Sequence, residues 1–139
     1  MDTQVQRSNS QDPRRLRELV NRAELLAREH GLRSVLVGLS GFEGDLTFPA
    51  IVDYIESALR IDDAIFRLTR ERVLLLLTDV DEAQARAIVA RLLDEYRERC
   101  PTTSEPSIGL GTFCVGPETT EVTLKSVLPT VFAAPPKAH

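Results

Sequence analysis

The chain has 139 residues, 42% hydrophobic and 27% charged, with a formal net charge of −4. That is room for one domain with a real core, and the acidic balance excludes a nonspecific binder of nucleic acid or of an anionic membrane, which needs a cationic surface. No run approaches the roughly 20 apolar residues of a membrane helix, and two cysteines (Cys100, Cys114) with two histidines (His30, His139) make neither a disulfide framework nor a zinc site.

Residues 1–11 are polar, lack the apolar stretch of a signal peptide, and are expected to be a disordered leader. The expected setting is a reducing cytoplasm, with no cofactor. Asp12 and Pro13 form a helix start, with Asp as N-cap and Pro at the first helical position. Leu16, Leu19, Val20, Ala23, Leu26 and Ala27 recur at helical spacing, and Gly31 supplies the stop. Ser34 to Ser40 is short, apolar and β-branched, which predicts a strand. Thr47 is expected to cap a second helix, with Phe48, Ile51, Val52, Ile55 and Leu59 on its buried face.

Ala64 to Leu68 and Arg72 to Thr78 read as two strands of a hairpin, the second with the apolar run Val73 to Leu77. Asp79 and Asp81 open a third helix with core positions Ala85, Ile88, Val89, Leu92 and Tyr96, and Pro101 ends it. Ser107 to Val115 reads as a fourth strand, Glu118 to Phe132 as a last helix, and 133–139 as a flexible tail. From Ser34 onward the order is β-α-β-β-α-β, an α+β, ferredoxin-like core with an added N-terminal helix, in a single domain over 12–132. That fold hosts many functions, so activity has to be read from individual residues.

Several short stretches fall in one recognisable order. Leu19-Val20-Asn21-Arg22 sits on the first helix, the first strand ends near Phe42, Arg67 to Leu77 reads RLTRERVLLLL, and Ser107-Ile108-Gly109 opens the fourth strand. Together these resemble a GGDEF (diguanylate cyclase) domain. They are similar, respectively, to that family's L-x-N-R, D-x-D-x-F, R-Y-G-G-D-E-F and S-I-G. The resemblance implies a bacterial signalling protein connected with cyclic di-GMP.

The departures from the family pattern are chemical. The signature positions read Thr69, Arg70, Glu71, Arg72 and Val73. Thr69 and Arg70 stand where glycines let the backbone approach a nucleotide, and Arg72 puts a cation where an acid belongs. The first-strand metal carboxylates fall on Gly38 and Ser40. The stretch between Phe42 and Arg60 is shorter than the family's and lacks its base-recognition segment. Glu71 alone is too little to hold a divalent ion. The resemblance, less these groups, implies a degenerate domain with no catalytic residue, no metal and no cyclase activity.

Arg60-Ile61-Asp62-Asp63 is an R-x-x-D. In the family an R-x-x-D at this offset, with an arginine on the helix after the hairpin, binds cyclic di-GMP away from the cleft. Here that arginine falls on Arg91. Arginines suit guanine O6 and N7 and the phosphates, and a carboxylate suits the guanine N–H donors. The same residues also read blandly, as a surface i,i+3 pair and a solvated helix arginine. Both readings stand at the level of sequence. So do two roles: a regulatory domain binding cyclic di-GMP, and a pure protein-protein interaction module, docking a protein partner or a second copy through the first helix or the charged turn. His30 is expected as a helix-end or solvated cation, Cys114 as a strand residue, and Cys100 as a helix-end residue.

Overall fold

In the computed structural model of the chain, residues 12–100 and 107–133 are described. The expected leader at 1–11, most of the expected tail at 133–139, and Pro101 lie outside them. The elements run α1 (Pro13–His30), β1 (Ser34–Ser40), α2 (Thr47–Ala58), β2 (Ala64–Thr69), β3 (Arg72–Thr78), α3 (Glu82–Arg99), β4 (Gly109–Val115) and α4 (Leu124–Val131). The strands make one antiparallel sheet in the order β2-β3-β1-β4. This is the expected α+β, ferredoxin-like arrangement.

Helices cover both faces, which explains why β1 and β3 read as continuous apolar runs. Val35, Val37 and Leu39 of β1, with Val73, Leu75 and Leu77 of β3, pack against α2 and α3. Leu36, Leu74 and Leu76 pack on the opposite face against α1 and α4. The apolar stripe of α1 (Leu16, Leu19, Val20, Ala23, Ala27) is therefore buried on its own sheet. That leaves it unavailable for pairing with a partner. Among the described residues no helix is long and apolar enough to cross a membrane.

The caps follow local chemistry, with some shifts. Asp12 caps α1 by accepting the Arg14 N–H, and Gly31 at φ 64° ends it with its own N–H on the Ala27 carbonyl. Thr47 does not cap α2; Asp45 Oδ1 accepts the Thr47 N–H at 2.8 Å. Asp81 caps α3 in a reciprocal box with Gln84. Asp79 stays outside the helix, in the left-handed region at φ 58°. The last helix starts at Leu124 and not at Glu118. Gly116 and Thr119 close a turn instead, Glu118 reaches Arg33, and Thr123 caps the helix in a box with Ser126. The fourth strand begins at Gly109, two residues later than expected.

Candidate functional site

The β2–β3 turn consists of Arg70 and Glu71, flanked by the pair Thr69 and Arg72. Neither turn residue takes a positive φ, so the turn lacks the backbone twist of the usual two-residue hairpins. A register shift between Arg67 and Thr69 accompanies it. Four of the five signature residues, Thr69, Glu71, Arg72 and Val73, have a structural occupation. Thr69 Oγ1 accepts the Glu71 N–H at 3.2 Å. The Glu71 carbonyl accepts the Gly41 N–H at 2.8 Å, and its carboxylate accepts the Gly44 N–H at 3.5 Å. The Arg72 guanidinium lies 5.3 Å from the Phe132 ring centre, a cation–π contact. Val73 is in the core.

Gly38 pairs across the sheet with Gly111, and the two form a notch that receives the end of α4. A Cβ at Gly38 would lie 2.7 Å from the Val131 carbonyl oxygen, and one at Gly111 only 2.4 Å from it. No side chain fits at either position without moving backbone. Ser40, two residues along the same face, is buried. The residues at these positions do not fit a divalent metal: no carboxylate can stand at Gly38, and Glu71 is turned to the backbone of the 41–45 loop. Among the described residues no group of three or more His, Cys, Asp or Glu is arranged to hold a metal ion.

Arg60 and Asp63 are brought together in a clamp. Helix α2 ends at Ala58, and Leu59 is extended, so Arg60 lies beyond the helix. The Asp63 side chain is 4% exposed, against 53% for Arg60. Asp63 Oδ2 accepts the Arg60 N–H at 3.1 Å and Nε–H at 3.2 Å. Asp63 Oδ1 accepts the Thr78 N–H at 3.0 Å, the Thr78 hydroxyl at 3.2 Å, and Arg60 Nη2–H at 3.3 Å. Arg60 Nη2 also donates to the Thr78 carbonyl. The carboxylate thus ties the turn before β2 to the end of β3. It also pushes the Arg60 guanidinium further up from its ordinary value, so Arg60 is a permanent cation.

Arg91 is elsewhere. It lies on α3, 66% exposed, with Nε 3.7 Å from Glu95 Oε2, and makes no hydrogen bond or ion pair to Arg60 or Asp63. Glu95 also accepts the Tyr54 hydroxyl at 2.8 Å, which pushes that phenol's pKa up. Arg67, just before the turn, is drawn onto α2 by Asp53 at 3.0 Å and Glu56 at 2.5 Å.

No protein-family model matches the sequence, and no curated protein does. Solved structures do. The GGDEF domain of FimX from Pseudomonas aeruginosa superposes with a TM-score of 0.65 at 14% identity, over 84% of this chain and 81% of that one. PelD from Pseudomonas aeruginosa gives 0.63 at 21% identity, over 81% of this chain but only 42% of its own length. The GGDEF domain of DgcB from Caulobacter crescentus, in complex with c-di-GMP, gives 0.55 at 15% identity, over 74% and 71%. The chain has a GGDEF-like fold.

Within that GGDEF-like fold, the first-strand motif falls at the Gly38 notch and the hairpin motif at the Thr69–Arg72 turn. Sequence reasoning singled out Gly38, the turn residues, Arg60 and Asp63, but not the notch. It missed Thr78, whose only signal was a polar residue closing an apolar run. It also missed the wall that Arg60 shares with α1: Arg22, His30, Asp62 and Asp79 border a cavity of about 420 Å³. Nothing in the local sequence connects Arg22 with residues 60 and 79.

Proposed function

We propose that this domain is a regulatory or scaffold element of cyclic di-GMP signalling that makes no cyclic di-GMP and binds it at the R-x-x-D element. The contrast between two sites carries this reading. The Gly38 position is closed to any carboxylate by the Val131 backbone, whereas Arg60 is held by a buried carboxylate with about half of its own surface free. Phosphoryl transfer from GTP relies on metal charge and phosphate positioning, and among the described residues no group of three or more His, Cys, Asp or Glu is arranged to hold a metal. A held, permanently charged guanidinium is suited to guanine or phosphate. In this reading Arg60 touches the ligand and Asp63 positions Arg60, while Arg91, paired with Glu95 on α3, is left out of the site.

Titration of the purified chain with cyclic di-GMP tests the binding half, with Arg60→Ala alongside. Saturable binding that is lost in the variant is expected; absence of saturation at high protein concentration rejects it. Incubation with GTP and Mg²⁺ or Mn²⁺ tests the other half, where any formation of cyclic di-GMP rejects inactivity.

A pure protein-interaction module is the second reading. The observation favouring it is the set of exposed apolar side chains on loops, Leu46 at 80% and Ile61 at 96%. It predicts a complex indifferent to nucleotide and weakened by Leu46→Ser or Ile61→Ser.

A further inference from the structure

The cavity beside Arg60 lies between the C-terminal half of α1, the turn at 60–62 and the β3–α3 connection. Its volume of about 420 Å³ is within the range of small-molecule sites. Arg22 and His30 of α1 and Arg60 line it with donors, Asp62 and Asp79 with carboxylates, and Leu26 and Leu32 with an apolar wall. A purely apolar ligand would strand these charges, and a small inorganic anion would meet the two carboxylates. The mixture fits a molecule with a phosphate, an apolar face and N–H donors, and a guanylate, the ligand of the reading above, has all three.

Two further observations narrow the roles. Both oxygens of Asp63 are already occupied by Arg60 and Thr78, so a different carboxylate must take the guanine N–H groups. Asp79 lines the cavity and is the one non-glycine residue with positive φ among those described. Such a conformation costs about 1 kcal/mol or more and tends to sit where function requires it. Across the cavity, Arg22 is 3.9 Å from Asp62, with both side chains well exposed. This is a loose pair that a phosphate can replace.

We propose that this cavity seats one guanylate half of cyclic di-GMP, with Arg22 and Arg60 on its phosphate and the Asp79 carboxylate on the guanine N–H edge. The assignment rests on the cyclic di-GMP reading above and adds α1 to the site.

Calorimetric titration of the whole chain with cyclic di-GMP tests it, using Arg22→Ala, Asp79→Asn and, for general loss of surface charge, Arg86→Ala. Asn tolerates the left-handed region, so Asp79→Asn removes the charge and keeps the backbone. Thermal melts verify that each variant folds. The expected result is saturation by wild type and by Arg86→Ala, with affinity at least tenfold weaker in both Arg22→Ala and Asp79→Asn. Amide exchange should slow around residues 22–30 and 78–80 on binding. Wild-type affinity in Arg22→Ala and Asp79→Asn, with binding lost in Arg60→Ala, overturns the cavity assignment and leaves the cyclic di-GMP reading standing. No saturation of the wild type overturns both.

Discussion

Replacing Asp63 separates a positioning carboxylate from a decorative surface pair. In Asp63→Ala the Thr78 N–H and hydroxyl, in a residue only 5% exposed, lose their acceptor. The backbone N–H has nowhere else to turn, and a buried unsatisfied donor costs about 1–3 kcal/mol. The half-exposed Arg60 guanidinium is resolvated and adds less. The sum is a loss of about 2–4 kcal/mol, or roughly 10 °C in Tm for a domain of this size. Asp63→Asn keeps an acceptor for Thr78 but turns an amide toward Arg60, and should cost about half as much. Arg60→Ala leaves the Asp63 carboxylate bonded to Thr78 and to the backbone N–H of residue 60, and should cost about 1 kcal/mol or less. Urea unfolding at constant m-value reads these differences directly. Equal losses in Asp63→Ala and Arg60→Ala, or less than about 1 kcal/mol in Asp63→Ala, would refute the asymmetric clamp.

Gly111→Ala places a Cβ against the Val131 carbonyl and must displace α4, at about 1–3 kcal/mol or more by urea unfolding; a neutral result would mean the notch is not closed. Gly38→Asp, which puts an acid into the same notch, should destabilise as strongly and show no rise in Tm on adding Mg²⁺. At Asp79, Gly should be neutral to stabilising, while Val should cost about 1–2 kcal/mol because a β-branched residue is strained at φ 58°; equal melts of the two variants would contradict the left-handed backbone. Arg33 donates to Glu118 at 2.8 Å and holds that carboxyl below its ordinary value of 4.5. A depressed folded pKa contributes stability above the unfolded value and loses it as pH falls through the folded one. The Tm gap between wild type and Glu118→Gln should therefore be present at neutral pH and close as the solution is acidified below 4.5. A gap that persists at low pH would mean the contribution is not ionic.

Local chemistry was enough for most of the scaffold. Asp12, Pro13 and Gly31 bracket α1, the run Val73 to Leu77 marks a strand covered on both faces, and element order alone pointed to the ferredoxin-like core. The same is true of the adjacency of Arg60 and Asp63, which are three residues apart. Element ends were less legible. A helix start is decided by which groups reach its first free N–H groups: Asp45 takes the Thr47 N–H, and Thr123 caps a last helix that was expected to start at Glu118.

Only tertiary structure decided the rest, because it depends on sheet register and helix packing between distant residues. The pairing of β2 with β3 brings Thr78 to Asp63 and turns an apparent surface pair into a buried clamp. The register Gly38 to Gly111 creates a notch that means nothing until α4 lies in it. Arg22 meets the 60–62 turn because α1 folds back over the sheet, which its apolar stripe demands but does not aim.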